Sequence, residues 1–411
     1  MFPAACLLHP LSSGSLFRVN WLHPIISKKE KLIIGLISGT SMDGIDAALV
    51  RIRGSGEDTE VRIEDFICRE YSDAARKFLL SIGSLNAGSV SDLNFLLGQE
   101  FAAAVSDLLR KASLKTTDVD LVGTHGQTVF HNPPSLGGAV SSTFQLGEAD
   151  VICEETGITT VGDFRTRDVA AGGEGAPLMP YVDYLLFSRT GKNIIAQNIG
   201  GISNCTLVTG KPGELLAFDT GPGNSLIDSV ARLASGGEKS FDEDGAIAKR
   251  GSVKEDLLRS LMKNPYFDIE PPKSTGRELF GEEMVARLFS LTEKKNISLP
   301  DLLLTLVEFT VCSIVSAYER FVYPRADVEE VVLSGGGAYN PVMVSRLCEK
   351  LAPTKLCLSD EYGIPPDAKE AVGFAVLANE TVCANRANVP EVTGAREATV
   401  LGKISIGKNV L

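Results

Sequence analysis

A short polar turn between two apolar runs is the first part of this sequence whose residue types and spacing could do chemistry. Residues 35–50 read GLISGTSMDGIDAALV, and residues 38–41 offer backbone N–H groups and hydroxyls without a bulky side chain. A polyphosphate could approach such a main chain closely, and Asp43 would then stand where it could face a bound Mg²⁺. An ordinary β-hairpin, in which Gly and Asp only satisfy the turn geometry, also explains these residues.

Two acidic residues stand where α/β enzymes keep catalytic groups. Asp219 follows the apolar run 215–218 and precedes a glycine-rich turn and a helix predicted over 225–233. At the end of a strand it could act as a general base, although an Asp in this context also caps turns and helices. Glu370 opens a long predicted helix and could complete a metal site with Asp43. The simpler alternative is a first-turn Glu favoured by the helix dipole.

Two further clusters are too polar for simple connections. His125 and Gln127 follow one apolar strand, and Asp163 and Arg165 follow another. These side chains suit the hydroxyls or the carboxylate of a substrate. For His125 the alternative is a hydrogen-bonded structural histidine, and for the Arg/Asp cluster it is a network of salt bridges between lobes.

Two loops complete the set of candidate segments. Residues 271–278 form a basic loop in which Ser274 or Thr275 is expected to cap a helix. A strand predicted over 329–334 runs straight into three glycines and a helix starting near Pro341. Such glycines let the backbone approach a ligand, and a plain tight turn has the same composition.

The elements that must position these residues alternate between strands and helices. Strands are predicted over 32–38, 45–52, 60–67, 119–123, 143–146 and 158–162, and helices over 73–82, 91–112 and 148–156. From residue 193 the first pattern recurs, because 193–208 again reads as strand, Gly-rich turn and strand. The sequence therefore predicts an α/β protein of two related halves, each opening with a hairpin whose tip could face a shared ligand.

Composition limits the class of protein. The chain has 411 residues, of which 44% are hydrophobic, so it is long enough for two cores and we expect two lobes. Its net charge of −12 argues against a nucleic-acid or anionic-membrane partner, since both need basic surface. A phosphorylated ligand would then be held by backbone amides and a metal. Four histidines argue against a His-rich metal site, and no run is expected to reach transmembrane length.

The cysteines and the first residues bear on location. Eight cysteines lie far apart and never form a Cys-x-x-Cys pair, which predicts buried free thiols in a reducing cytosol. Residues 1–30 contain no acidic residue before Glu30 and are expected to be a disordered leader or an upstream extension.

Taken together, the segments resemble the anhydro-N-acetylmuramic acid kinase family from Gly35 to Gly402. The similar segments are SGTSMDGID, GTHGQT, GDFRTRD, AAGGEGAPLMP, NIGGISN, FDTGPGN, PPKSTGRE, SGGGAYN, AKEAVGFA and VPEVTGAREATVLG. The resemblance implies a duplicated ribonuclease H-like fold of the actin, hexokinase and Hsp70 type, with ATP in the cleft between two lobes. Lobe I would comprise residues 31–165 and 372–411, and lobe II residues 166–371.

The resemblance also implies roles for individual residues. Asp219 would be the catalytic base, and Asp43 and Glu370 would lie near Mg²⁺. Substrate contacts are expected from His125, Gln127, Asp163 and Arg165. The residues expected to bind ATP are Gly39, Thr40, Ser41, Met42, Asp43, Gly44, Ile45, Asp46, Gly200, Gly201, Gly335, Gly336 and Gly337.

The implied reaction opens the 1,6-anhydro ring of an anhydrosugar with water and transfers the γ-phosphoryl group of ATP to the released O6. Glu174 departs from the family, whose members commonly have Gln there. A related branch phosphorylates levoglucosan, and a glycosidase using Asp219 and Glu370 without nucleotide, or a catalytically silent sugar-binding protein, are the remaining alternatives. The resemblance further implies a homodimer in the cytoplasm.

Overall fold

Strands and helices alternate along the part of the chain that the computed structural model describes, which is residues 22–39, 42, 44–276 and 278–410. The strands are β1 Glu30–Ser38, β2 Gly44–Arg53, β3 Glu60–Glu70, β4 Leu121–Asn132, β5 Ser142–Leu146, β6 Thr160–Gly162, β7 Ile194–Ile199, β8 Ile202–Val208, β9 Leu216–Pro222, β10 Glu330–Ser334, β11 Lys355–Leu358 and β12 Lys403–Ser405. The helices are α1 His23–Ile26, α2 Asp73–Leu80, α3 Ala87–Ala112, α4 Ala149–Thr156, α5 Thr166–Ala170, α6 Met179–Phe187, α7 Ser225–Ala234, α8 Glu255–Leu261, α9 Glu282–Lys295, α10 Leu299–Ala317, α11 Pro341–Leu351, α12 Lys369–Val382 and α13 Pro390–Thr393.

The strands form two sheets with the same topology. Sheet I has the order β12-β6-β4-β1-β2-β3, with β5 paired to β4, and sheet II has the order β11-β10-β7-β8-β9. In each sheet three consecutive strands form an antiparallel meander, and two later strands, β4 and β6 or β10 and β11, join in parallel beside the first strand. In sheet I, β5 and β12 add antiparallel pairs. The predicted α/β fold with a duplicated half is confirmed, as are most of the predicted strands and helices within a few residues at their ends. The strand predicted over 119–123 is an exception, because β4 continues to Asn132 and contains His125 and Gln127, which were expected to follow it.

A helical layer separates the two sheets. Helices α6 and α12 share one hydrophobic core with the facing sides of both sheets, including Ile33 of β1 and Ala196 of β7. Helix α12 lies directly on sheet I, because a Cβ at Gly35 would come within 1.8 Å of the Ala371 carbonyl oxygen. This close approach brings the first turn of α12 beside the strand that leads into the first hairpin.

The outer faces of the sheets are covered by other helices. Helix α3 packs on sheet I, and α10 packs within the core on the outer face of sheet II. The helical stretch Leu299–Val322 is long and apolar enough to cross a membrane by length and composition, so the expectation that no run reaches that length was wrong. Of an 18-residue apolar segment within it, 67% is buried inside the protein, and its Glu308 pairs with Lys350 at 3.0 Å. Both observations are typical of a helix packed on a sheet.

The packed part of the chain includes residues 22–30, which the sequence assigned to a leader. Helix α1 lies there, and Ile25 is buried against the central core. The ammonium group of Lys28 pairs with Asp120. The boundary expected at residue 31 is therefore too late, because an apolar side chain before it finds a place in the core. Residues 1–21 lie outside the described residues, and the division of lobes at residues 165 and 371 stays a prediction.

Candidate active site

A row of four side chains crosses sheet II on the face toward sheet I, where the resemblance implies the cleft between the lobes. Asn198 of β7 pairs with Asn204 of β8, Asn204 pairs with Asp219 of β9, and Ser334 of β10 pairs with Asn198. Residues opposite each other in a sheet point to the same face, as do residues two positions apart in one strand. Ala196 lies two positions before Asn198, Ala217 lies two positions before Asp219, and both alanines face the central core. Asp219, Asn204 and Asn198 therefore all face sheet I, with Asp219 and Asn198 about 10 Å apart.

A β-bulge turns Asp219 toward this face. The register of β8 and β9 shifts between Ser203 and Asn204, which leaves Thr220 as the extra residue. Its hydroxyl donates hydrogen bonds to the Ser203 carbonyl oxygen at 3.1 Å and to the Ser203 hydroxyl at 2.8 Å. Bulges commonly aim a side chain at an active site.

The carboxylate of Asp219 is half-buried and held by one backbone donor. The N–H of Thr275 donates to its Oδ2 at 2.9 Å. Burial raises the pKa of Asp219 to about 7, with a smaller upward contribution from Glu278, while the Thr275 N–H and Lys273 act in the opposite direction. A carboxyl group with this pKa can accept a proton near neutral pH, as a general base must.

The loop that contributes Thr275 does not cap a helix. The next helix, α9, begins at Glu282, and its N-cap position is Gly281 without a side-chain hydrogen bond. The expectation that Ser274 or Thr275 caps a helix was wrong, because the loop instead lies along β9, the edge strand of sheet II. An unpaired strand edge offers backbone groups that a neighbouring loop can satisfy.

Glu370 lies at the other end of the row. It is half-buried in the first turn of α12, and its Oε1 accepts a hydrogen bond from Asn198 Nδ2 at 3.4 Å. Burial raises its pKa, while the charges of Lys369 and Arg165 act to lower it. The buried pair of Lys369 Nζ and Asp183 Oδ1, 2.7 Å apart, ties this turn to α6.

The first hairpin is anchored by Gln127. Its Oε1 accepts hydrogen bonds from Ser38 Oγ at 2.7 Å and from the Tyr71 hydroxyl at 3.4 Å, and its Nε2 donates to the Gly39 carbonyl at 3.1 Å. A further bond from Nε2 to the Thr128 carbonyl uses its remaining donor. Gln127 is fully buried, and its side chain holds the hairpin tip in place through these hydrogen bonds. A substrate contact by this side chain stays a prediction that its bonding does not favour.

Some of the expected ATP-binding residues of this hairpin can be placed. Thr40, Ser41 and Asp43 lie outside the described residues. Met42 has φ of 57° and donates its N–H to the Gly39 carbonyl at 3.2 Å, so the turn is tight. Beyond the turn β2 begins, and the remaining expected residues Gly44, Ile45 and Asp46 belong to it. Ile45 is fully buried, so only its backbone could face a ligand.

His125 and Arg165 form one unit near Glu370. Arg165 Nε donates to His125 Nε2 at 2.9 Å and its Nη1 donates to the Gly175 carbonyl at 2.8 Å. His125 is therefore neutral, with Nδ1 directed at the Gly126 carbonyl at 3.0 Å, and burial together with Arg165 places its pKa well below the usual value. Burial also lowers the pKa of Arg165, to about 10. By accepting this hydrogen bond, His125 fixes the orientation of the Arg165 guanidinium group.

Asp163 is engaged elsewhere. Its Oδ2 pairs with Lys403 Nζ of β12 at 2.5 Å, and its Oδ1 accepts a hydrogen bond from the Thr166 hydroxyl. The backbone of Asp163 has φ of 56°, a left-handed conformation that Asp tolerates. A substrate contact by Asp163 stays a prediction.

The expected glycines differ in what surrounds them. A Cβ at Gly335, where φ is +81°, would lie 2.6 Å from Asn198 Oδ1, and one at Gly337 would lie 2.4 Å from Ile199 Cγ2. These two glycines are needed for packing, whereas Gly336 is exposed and open. In the second hairpin, the carbonyl groups of Gly200 and Gly201 accept backbone hydrogen bonds of 2.8–3.1 Å from residues 223–225. That hairpin is thereby joined to the loop that follows Asp219.

The oxygen ligands that Glu370 offers fit a magnesium ion. Among the described residues, Glu370 Oε2 has no hydrogen-bond partner, and Oε1 has only the long contact to Asn198. A carboxylate oxygen with spare acceptor capacity is the kind of ligand that Mg²⁺ prefers. The site thus combines a carboxyl group with a pKa near neutrality, a carboxylate suited to a hard cation, and two hairpin tips.

Comparison with known proteins decides the family. The family model for anhydro-N-acetylmuramic acid kinase matches residues 31–407. The chain belongs to the anhydro-N-acetylmuramic acid kinase family. Curated relatives of that name include one from Caldanaerobacter subterraneus subsp. tengcongensis, 44% identical over 93% of this chain and 98% of the relative, and one from Bacillus cereus, 43% identical over 91% and 98%. The resemblance drawn from the sequence is confirmed.

A solved structure with a similar course of the backbone is the activator of the 2-hydroxyisocaproyl-CoA dehydratase from Clostridium difficile with bound ADPNP. It aligns with 86% of this chain and 96% of its own, at 13% identity and a TM-score of 0.43.

Within this kinase-family site, sequence reasoning missed several residues. Asn198 contacts Glu370, and Asn204 stands in the row without a side-chain hydrogen bond to a described residue. A signal for both was present, since these two polar residues flank the Gly-Gly turn at the ends of apolar strands.

Glu174, which stands where family members commonly have Gln, accepts hydrogen bonds from the N–H of Ser135 at 3.1 Å and from the Ser135 hydroxyl at 2.6 Å. A carboxylate suits two donors, which explains its tolerance there.

Proposed function

We propose that this member of the anhydro-N-acetylmuramic acid kinase family is an ATP-dependent kinase acting on 1,6-anhydro-N-acetylmuramic acid. Water would open the 1,6-anhydro ring, O6 would receive the γ-phosphoryl group, and the product would be N-acetylmuramic acid 6-phosphate. Family membership supports the substrate class. The observation that carries the mechanism is the half-buried Asp219, whose pKa of about 7 suits a base at the cleft face of sheet II.

In this mechanism Asp219 takes one proton from the water that attacks C1. The C1–O6 bond breaks, its electron pair goes to O6, and the water oxygen remains on C1 as a hydroxyl. An alkoxide at O6 is a far better phosphoryl acceptor than an ether oxygen. The Thr275 N–H, which donates to Oδ2, keeps one carboxylate oxygen fixed and leaves the other to the nucleophile.

We further propose that Mg²⁺ is held by Glu370 together with Asp43, and that ATP lies between the two hairpins. Bound Mg²⁺ would neutralise charge on the transferred phosphoryl group. Asn198 orients Glu370 from the sheet, and Gln127 keeps the backbone of the first hairpin in place for the phosphates.

The deciding experiment follows an oxygen isotope. The protein is incubated with 1,6-anhydro-N-acetylmuramic acid, Mg²⁺ and ATP in ¹⁸O-water, and the product is analysed by mass spectrometry. We expect a 6-phosphate that carries the label at C1. Ring opening without ATP would identify a hydrolase, and no product would remove the proposed activity. Turnover of levoglucosan well above that of the muramic sugar would move the protein to the other branch.

We also propose a homodimer in the cytoplasm. All seven cysteines in the described part of the chain are free, which suits a reducing compartment, although Cys68 and Cys348 are exposed rather than buried as expected. Light scattering coupled to size-exclusion chromatography would give the mass, and a value near 43.8 kDa would contradict the dimer.

A further inference from the structure

Lys273 is buried beside Asp219 in a cage of three aromatic rings. Its ammonium nitrogen lies 4.7 Å from the ring centre of Phe321, 4.8 Å from that of Tyr266 and 5.7 Å from that of Phe218. Only 9% of the residue is exposed. No carboxylate of a described residue lies within ion-pair distance, and its hydrogen bonds go to the carbonyls of Tyr266 at 3.3 Å and Phe267 at 3.5 Å. Burying a charge without an ion-pair partner costs free energy, and this cost indicates that the position has a function.

Asp219 is fixed at three points, two of them on the loop that carries Lys273 and one on Tyr266. The N–H of Asp219 donates to the Lys273 carbonyl at 3.1 Å, and the Tyr266 hydroxyl donates to the Asp219 carbonyl at 2.7 Å. The Thr275 N–H holds the carboxylate itself. These contacts cover the open edge of β9, and the side chain of Lys273 is the part of the loop inserted into the core of sheet II.

We propose that Lys273 is a positioning residue for the catalytic base: its caged ammonium group anchors the 271–276 loop on β9 and thereby holds the Thr275 N–H against the Asp219 carboxylate. Lys273 does not touch the substrate in this assignment. The proposal rests on the function proposed for Asp219 and deepens it, because it explains how a buried carboxyl group stays usable as a base.

The surrounding charges support this assignment. Around Asp219, Glu278 raises its pKa and Lys273 lowers it, and the neighbouring Cys205 and Tyr266 are neutral because burial raises the pKa of each. Around Lys273, burial lowers its pKa to about 8, with a further lowering by Arg320. Asp268 and Asp219 act to raise it. Because its pKa lies above that of Asp219, Lys273 is still mostly charged at the pH where Asp219 is half-ionised.

The test compares Lys273→Met with Lys273→Arg. Methionine keeps the length and apolar stem but removes the charge, whereas arginine keeps the charge. We expect Lys273→Met to move the acidic limb of the kcat/KM profile upward by about one pH unit. The ratio of kcat/KM at pH 6 to kcat/KM at pH 9 should then be about tenfold lower in the variant than in the wild type. Lys273→Arg should leave the limb in place.

A control separates this effect from general loss of stability. Leu347 of α11 is buried in the same hydrophobic core, and Leu347→Ala should lower thermal stability without moving the limb. Lys273→Gln, whose amide can still donate to the two carbonyls, serves the same comparison if the Met variant is not recovered folded. An unmoved limb in the neutral variants, or the same displacement in Leu347→Ala, would overturn the proposal.

A second measurement needs no activity and so distinguishes this proposal from the proposed function. The melting temperature is measured against pH for the protein and for Asp219→Asn, each with and without Lys273→Met. The difference between the two curves of a pair grows with pH above the unfolded-state pKa, and the pH at which it stops growing reports the pKa of Asp219 in the folded protein. We expect a higher value when Lys273 is replaced by Met, even if no anhydrosugar is turned over. An unchanged value would overturn the role of Lys273 alone.

Discussion

Asp219 and Asn198 lie in the same cross-strand row of sheet II, both opposite Asn204, so the proposed base and the side chain that contacts Glu370 face the cleft together. The register of three antiparallel strands sets this relationship, and no flexible connection intervenes. The distance between the base and the proposed metal site is therefore set by strand spacing, about 5 Å per strand. A register slip of one residue would turn one of them into the core.

Asp219→Asn should remove turnover and stabilise the protein. We expect kcat to fall by about 10²–10⁴, the contribution of a general base, with ATP binding retained. Burial raises the pKa of this carboxyl from 3.8 to about 7, so its ionisation opposes folding. The variant should therefore gain stability over the wild type as pH rises from 4 to 7 and keep the gain above 7, on the order of 1–2 kcal/mol after allowance for partial exposure. A fully active variant would remove Asp219 from its role.

The pH dependence of kcat/KM should show the ionisation of Asp219 directly. Because the base must be deprotonated and its pKa is about 7, activity is expected to rise with pH through that value and then level off. The profile is measured with Mg²⁺ and ATP saturating at each pH. An acidic limb below pH 5 would mean that the pKa of Asp219 is not raised or that Asp219 is not the base.

Asn198→Ala should weaken activation by Mg²⁺. The Asn198 amide contacts Glu370, and loss of such an outer partner of a metal ligand typically costs 10–100-fold in metal affinity. Titration of activity with Mg²⁺ should show the half-maximal concentration raised by about this factor. Glu370→Gln should raise it further, while the exposed Glu391→Gln serves as the matched control. Unchanged Mg²⁺ dependence in both cleft variants would place the metal elsewhere.

Gln127→Leu should weaken ATP binding through the first hairpin. The substitution leaves the Ser38 hydroxyl and the Gly39 carbonyl without their buried partner, at about 1–3 kcal/mol for each unsatisfied group. We expect KM for ATP to rise about tenfold or more, with KM for the sugar little changed. Gln145→Leu on the neighbouring β5, where the side chain donates to the hydroxyls of Thr128 and Thr143, is the control. A rise confined to KM for the sugar would instead make Gln127 a substrate ligand.

Much of this site follows from local sequence. Strands, helices and the glycine-rich turns were predicted within a few residues because hydrophobic periodicity and turn composition are local properties. The position of Glu370 in a first helical turn followed from the same patterns. Asp219 was expected at a strand end, but β9 continues to Pro222 and Asp219 lies within it. The order of the segments then identified the family, since many short motifs in one order are specific when a single one is not.

The partners of these residues depended on contacts that the sequence does not display. Gln127 was expected to bind substrate, yet it bonds Ser38, which lies 89 residues away in the chain. Lys273 was predicted only as part of a basic loop, and the structure buries it among rings from three segments. Periodicity identifies which residues form a strand or helix, but burial and hydrogen bonding depend on how distant elements pack. The sequence by itself determined the elements and the family, and only the tertiary structure decided which polar side chains face the cleft and which hold it together.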